Sequence, residues 1–447
     1  TQTPTTTPTT TPTNTPTPTP TIPETGFLQL GNTIEGVNYT INEEDWGAGT
    51  SMNAAGDRFI TSTGMREDAL RTGRARVYKL EGNTWTLLGD ELSGHTSDEY
   101  GHSTSEYGGF GENVDINDDG DIIAVSDPYI NILATPHTGY DVGMVYIYQY
   151  TSSNWSEIAA ISGWNEGMNP TNERSARYDG MSLNGPGDRV AIGTAAAGSP
   201  SSPTGNPGSV KGYENQSGNW VQIGQTLYGE TWTEQFGYSV DMNQSGDRMI
   251  VGSGYGTTSQ TGRACVFALT GSDNTDYEWV QMGDDLPFFT VTGAYNGYRT
   301  RFNNSGNRAI ITNKSGTWKE IYVATLTGHD FSDYGWHIDT MPFQSGRGHH
   351  LADINGNGNL VVFTNDWSGA PDYKGQITVA QLTGSDPSTY GSSLYYEITE
   401  SSDLWHPSNE NAGGLYGSIS MSSDGFTFVV GNPNYDIPAL GSGNGTG

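Results

Sequence analysis

Phe236–Gly252 reads FGYSVDMNQSGDRMIVG. Apolar and polar residues alternate up to Met242, a polar turn bearing Gly246 follows, and MIVG opens a second apolar run. That is the pattern of two strands joined by a tight turn. Related stretches are WGAGTSMNAAGDRFI from Trp46, FGENVDINDDGDIIAV from Phe110 and YDGMSLNGPGDRVAIG from Tyr178. GYRTRFNNSGNRAII from Gly297, HHLADINGNGNLVVF from His349 and YGSISMSSDGFTFVVG from Tyr416 continue the series. The turn glycines are Gly56, Gly120, Gly187, Gly246, Gly306, Gly358 and Gly425, spaced 52 to 67 residues apart.

A third strand follows most copies: GRARVYKL at Gly73, GMVYIYQY at Gly143, GSVKGYE at Gly208, GRACVFAL at Gly262, EIYVATL at Glu320 and GQITVAQL at Gly375. A fourth carries an aromatic residue and often a glycine four later, as in WTLLGDEL at Trp85, WSEI at Trp155, WVQIGQTL at Trp220 and WVQMGDDL at Trp279. Trp336 and Tyr396 hold the equivalent place in the next two units. Four strands per unit, repeated with turn-rich links, predict an all-β fold, a seven-bladed β-propeller of four-stranded blades.

The segment FLQLGNTIEG from Phe27 matches a fourth strand, with Phe27, Gly31 and Ile34 where Trp220, Gly224 and Leu227 stand. The N-terminal strand is therefore expected to complete the last blade and close the ring. The third strand of that blade has no clear counterpart after Gly431, where the chain runs NPNYDIPALGSGNGTG. Either a poorly matching segment near Ile437 to Leu440 fills the place, or the chain continues, or a neighbouring subunit donates a strand.

Residues 1–26 form a separate Thr/Pro-rich arm ahead of the propeller at 27–447. Thirteen of the first 22 residues are Thr and six are Pro. Such a composition favours extended polyproline II at about 3.1 Å per residue, a reach on the order of 70 Å. It also matches O-glycosylated stalks, with Thr3, Thr5, Thr6, Thr7, Thr9, Thr10, Thr11, Thr13, Thr15, Thr17, Thr19 and Thr21 as acceptors.

The net charge of -31 opposes binding to nucleic acid and anionic membranes. No apolar run is long enough to span a membrane, and the absence of a leader reads as a mature chain. The single cysteine, Cys265, sits inside a third strand, where an inert buried thiol is expected. A large domain needs no disulfide outside the cell, so the arm places the chain there.

The repeat resembles the FG-GAP β-propeller repeat of integrin α-subunit heads and of many bacterial and viral surface proteins. Phe110-Gly111 and Phe236-Gly237 carry the FG half, and Gly431-Asn432-Pro433 is a loose version of the GAP half. The resemblance covers about residues 27–447, and it implies adhesion or assembly rather than catalysis. It also implies calcium in a D-x-D/N-x-D-G hairpin. Asp115, Asn117 and Asp119 before Gly120 have the early spacing, although the ninth position is Ile123 and not a carboxylate. Asp353, Asn355 and Asn357 form a weaker version. The same residues also suit an ordinary turn.

Enzyme motifs are missing: there is no H-E-x-x-H, G-x-S-x-G or phosphate-binding loop. Ser423–Phe428 only approaches a sialidase Asp-box turn, and His349-His350 point to opposite faces of a strand. The recurring tryptophans are expected to pack between blades. Trp164, Trp232, Trp367 and Trp405 fall outside that register and are the better contact candidates. N-glycosylation signals stand at Asn38, Asn154, Asn215, Asn243, Asn303, Asn313 and Asn444, with Asn243 and Asn303 expected exposed in repeat turns. The expected function is a non-enzymatic extracellular glycoprotein that self-associates into a fibre or appendage. The alternative is an adhesin or carbohydrate-recognition head on a flexible stalk.

Overall fold

The computed structural model describes residues 28–34, 46–63, 73–95, 102–104, 109–132, 142–162, 174–199, 207–231, 233–254, 262–286, 295–314, 320–328, 330–341, 351–366, 375–383, 391–398 and 418–431. Among these the chain is all β and contains no helix. Six antiparallel sheets carry four strands in meander order, and a separate hairpin follows them. Blade one comprises Gly49–Met52, Arg58–Ser62, Arg74–Glu81 and Thr84–Leu87, with Leu92–Ser93 pairing the third strand as well. Blade two runs through Val114–Ile116, Ile122–Asp127, Met144–Thr151 and Asn154–Ser162. Blade three holds Met181–Leu183, Arg189–Thr194, Ser209–Gln216 and Asn219–Tyr228. Blade four is Phe236–Met242, Arg248–Ser253, Arg263–Thr270 and Glu278–Gln281. Blade five is Tyr295–Phe302, Arg308–Lys314, Ile321–Thr327 and Gly335–Thr340, and blade six is Ala352–Ile354, Leu360–Asp366, Gly375–Thr383 and Gly391–Ile398. The hairpin pairs Ile419–Met421 with Phe428–Val430.

The apolar core lies between blades rather than within them. Val145, Ile147 and Ile161 of blade two pack on Met181, Val190 and Ile192 of blade three. Val210 and Ile223 of blade three pack in turn on Phe236, Val240 and Met249 of blade four. Each sheet is apolar on both faces for this reason, and no blade buries its surface without neighbours.

The repeat turn is closed by one side chain. Asn243 accepts from the Arg248 amide at 2.9 Å and donates to Asp247 at 2.8 Å. Asn53, Asn117, Asn184, Asn303 and Asn355 do the same in their own turns. In the final hairpin Ser422 takes the place, accepting from Thr427. The residue after each Asn links the turns to one another through the backbone. Amides of Asp118, Gly185, Gln244, Asn304, Gly356 and Ser423 donate to carbonyls of Gly185, Gln244, Asn304, Gly356, Ser423 and Ala54 in that order. The path returns to the first turn, so the hairpin at 419–430 stands between blade six and blade one.

The recurring arginine is a clamp on the next blade. Arg58, Arg189, Arg248 and Arg308 reach the carbonyls of Gly120, Gly246, Gly306 and Gly358. Where Ile122, Leu360 or Thr427 replaces it, the next turn glycine packs against that side chain instead.

Tryptophan does the same work at the outer rim, as the recurrence implied. The indole N–H groups of Trp155, Trp279 and Trp336 donate to the carbonyls of Leu88, Ile223 and Met282 in the preceding fourth strand. Each of those carbonyls precedes a glycine at positive φ, and a Cβ on Gly89 or Gly224 would lie 2.7–2.8 Å from the next indole ring. Blade two has Ala159 at that place, and the buried Trp220 indole N–H has no hydrogen-bond partner. Trp155→Phe should therefore cost about 1–2 kcal/mol more than Trp220→Phe, because only the first leaves a carbonyl unpaired. Urea midpoints of the two variants, compared at unchanged m-value, would show it.

Candidate functional site

Two places gather unusual chemistry: the inner ring, and the seam where the two ends of the described chain meet.

The inner ring comes from one position in each first strand, two residues before the turn Asn: Ser51, Asp115, Ser182, Asp241, Arg301, Asp353 and Ser420. The inner edge of a first strand carries amides with no neighbouring strand to accept them. Five of the ring side chains accept them instead, each from the following blade, while Ser51 donates to Asp115, which takes the Ile116 amide itself. Asp115 takes the Leu183 amide at 2.7 Å, Ser182 the Met242 amide at 3.1 Å, and Asp241 the Phe302 amide at 2.5 Å. Asp353 takes Met421 at 2.7 Å, and Ser420 takes Met52 at 3.0 Å. Arg301 has no acceptor to offer. The Ile354 amide it faces in sequence order turns to its own neighbour Asp353, and Arg301 forms a two-pronged ion pair with Asp179 at 2.6 and 2.9 Å.

Ser51, Asp115, Asp241, Arg301 and Ser420 line a polar cavity of about 60 Å³, with Asp179, Glu112, Tyr178 and Arg299 also on its wall. Burial pushes the Asp241 carboxyl up to about 7, with Arg301 and the Phe302 amide pulling the other way. Burial likewise lifts Asp353 to about 6 and raises Asp115. Burial would raise Asp179 too, but Arg301 and then Arg299 outweigh it and hold that carboxyl below its ordinary value. The same ion pair keeps Arg301 charged despite its burial.

From Tyr178 on the wall of this cavity, the rings of Tyr178, Tyr238 and Tyr298 form a staircase, with centroids 4.1 and 5.2 Å apart. Arg177 lies over Tyr178 at 4.4 Å, and Arg174 lies over Tyr129 at 5.0 Å. Arg174, Ala176 and Tyr178 all adopt positive φ, a conformation L side chains rarely take.

The structure does not gather the expected calcium ligands. Both oxygens of Asp115 serve Ser51, Ile116 and Leu183; Asn117 closes its turn; the Asp119 side chain faces solvent. Asp353 and Asn355 repeat the first two duties. Among the described residues no group of three or more His, Cys, Asp or Glu could hold a metal.

The exposure expected of Asn243 and Asn303 is overturned. Both are buried, 3% and 4% exposed, because the hairpin turn is pressed against the next one and its carboxamide is consumed closing the turn. Asn313 is equally buried, its oxygen taking the Glu320 amide. Asn154 binds Asp90 at 2.6 Å, and Asn215 caps the Gly218 amide. Asn38, Asn444 and the acceptor threonines from Thr3 to Thr21 lie outside the described residues, as do Trp164, Trp232, Trp367 and Trp405. Cys265 is fully buried and its thiol is held well above its ordinary pKa by that burial, in line with an inert role.

At the seam, Leu28–Ile34 lies where a fourth strand was expected. Trp85 donates its indole N–H to Leu30 at 2.8 Å and its amide to Asn32 at 2.8 Å, and Gly31 has positive φ, like Gly89, Gly224 and Gly283. The segment forms no strand ladder, however, because nothing described pairs with it on the side of Phe428–Val430. Between them runs a groove of about 330 Å³, walled by Met52 and Phe59 of blade one, Ile377 of blade six and Phe428 of the hairpin. Leu28, Leu30 and Phe426 open onto it, exposed by 84%, 39% and 39%. They are half of the six large apolar side chains exposed among the described residues.

No family model and no curated protein matches this chain. Among solved structures it is similar to a candidate 6-phosphogluconolactonase from Bacteroides uniformis, with 10% identity, a TM-score of 0.48, and coverage of 79% of this chain and 84% of that one. A second such protein, from Bacteroides fragilis, gives 10% identity and a TM-score of 0.47 over 79% and 83% of the chains. Sqt1 from Chaetomium thermophilum gives 12% identity and 0.45 over 82% and 75%. At this distance no activity carries over, and the propeller rests on the sheets themselves. No helix among the described residues is long and apolar enough to cross a membrane.

Two outcomes follow for the inner ring. Arg301→Met should cost about 3–5 kcal/mol, because it strands Asp179 as a buried charge; chemical denaturation would measure it. The raised carboxyls set the pH dependence. Between 3.8 and about 7 the folded Asp241 holds a proton that the unfolded chain has released. Stability therefore falls as pH rises through that window and levels off above it. Melting temperature should climb from pH 8 to pH 5, and Asp241→Asn should flatten the climb.

Proposed function

We propose that this protein is a non-enzymatic structural glycoprotein of the cell exterior, the subunit of a fibre or surface appendage. In this reading the hairpin at 419–430 is the inner half of a seventh blade, Leu28–Ile34 is its outer strand, and the ring is an FG-GAP-type propeller. The Thr/Pro arm, carrying O-linked sugars, is the connector to neighbouring copies.

One observation carries the reading: among the described residues an apolar groove lies open at the seam, with Leu28, Leu30 and Phe426 exposed along it. A head that acted alone would leave that surface, and the backbone edges beside it, to water. Assembly would cover both. The inner ring offers no competing chemistry, since most of its side chains are occupied in holding neighbouring blades.

The tyrosine staircase favours a second reading, a recognition head that binds a sugar or anionic ligand against those rings. Electron microscopy of native material separates the two. Repeating filaments are expected; single heads at all concentrations would sink the fibre reading, and the intact mass should exceed that of the bare chain by its sugars.

A further inference from the structure

The arm has a second pattern beneath its composition. Every odd position from Thr1 to Thr21 is threonine, while Pro4, Pro8, Pro12, Pro16, Pro18 and Pro20 are all even. In an extended strand, successive backbone N–H and C=O groups point to opposite edges. One edge of such an arm would keep every donor, and the other would lose six. Threonine is also a favoured strand residue, and its methyl groups would line one face with proline rings on the other.

The groove suits those two faces. It needs a strand apolar on both, because blade one walls it on one side and blade six on the other. Its borders are Leu28–Ile34 and the strand Phe428–Val430. The complete donor edge can pair with one border, and the other edge pairs only where proline leaves an N–H. Third strands elsewhere in the ring run seven to nine residues, well within the arm.

We infer that the groove takes the arm of a second copy of this chain, a stretch of residues 1–21 entering as the missing third strand. This rests on the fibre reading and names the contact that makes it. The chain's own arm is a poorer occupant. It leaves from Leu28, on the groove's own rim, so it would have to reverse within residues 22–27. Pro23, at an odd position, would remove a donor from the complete edge at that reversal. The chain's own tail is poorer too: its apolar stretch runs only from Ile437 to Leu440, and Gly441, Gly443, Gly445 and Gly447 follow it. An arm that leaves one rim and enters the next copy's groove makes a head-to-tail contact, which propagates into a filament wherever its rotation does not close a ring. Threonines inside the groove would have no room for sugars.

Cys265 is buried, so single cysteines can be added for cross-linking. Four preparations of the full chain, Thr7→Cys, Thr9→Cys, Thr11→Cys and Thr13→Cys, are each mixed with Phe426→Cys under mild oxidation. A two-chain disulfide is expected for at least one arm position, and deletion of residues 1–21 should abolish filaments. Peptide mapping should find unglycosylated threonines within the linked stretch. A disulfide that closes only within one chain carrying both cysteines would overturn the inference in favour of the chain's own arm. Linkage to Phe426→Cys only from Ala439→Cys would assign the groove to the tail, and no linkage at all would also overturn it. Micrographs of the same samples keep the two claims apart: filaments without arm linkage reject this contact and leave the fibre, whereas single heads reject both.

Discussion

The inner edge of each first strand is the constraint on which the ring depends. It faces the central channel, where no further strand can lie, so its amides must find acceptors elsewhere. The chain answers with side chains of the neighbouring blade at Asp115, Ser182, Asp241, Asp353 and Ser420. The turns beyond that edge are stitched by backbone bonds and by Arg58, Arg189, Arg248 and Arg308. Since every one of these bonds crosses a blade boundary, no blade is satisfied alone. Stability is then a property of neighbours, as in other repeat architectures.

Seven similar turns could be joined in more than one order, and the departures from the repeat help to distinguish them. Arg301 breaks the row of acceptors and ties itself to Asp179, across a sequence separation of 122 residues. Ala159 removes the outward carbonyl that a glycine would supply, leaving Trp220 unpaired. Ser422 replaces the turn asparagine where the last hairpin meets the first blade. Each departure costs something locally and makes one interface unlike the rest.

The strands were legible because period-two patterning and a turn glycine are local signals. The rim tryptophans were legible because packing accounts for recurrence better than ligand binding does. The fate of the turn asparagines was not. A polar hairpin turn reads as exposed, and only the next turn, some 60 residues on, buries Asn243. Asp115 reads in two ways for a related reason: its spacing suits a cation, and its oxygens also serve an amide 68 residues away, which no local pattern announces. Aligning the position two before each turn Asn would have exposed the run of Ser, Asp and Arg that forms the inner ring. The parity of the arm was likewise visible in the letters, but its meaning needed the apolar walls of the groove.

The hold of Trp85 on Leu30 and Asn32 bears on how the head carries load. Among the described residues, a pull on Leu28 reaches the ring through two side-chain hooks rather than a ladder of backbone bonds. Hooks loaded one after another fail by peeling, at low force. A strand seated between Leu28–Ile34 and Phe428–Val430 would spread the same tension along both borders and load their bonds together in shear. The seam would then be the weakest part of the head while its groove stands open, and the part that bears the tension once it is filled.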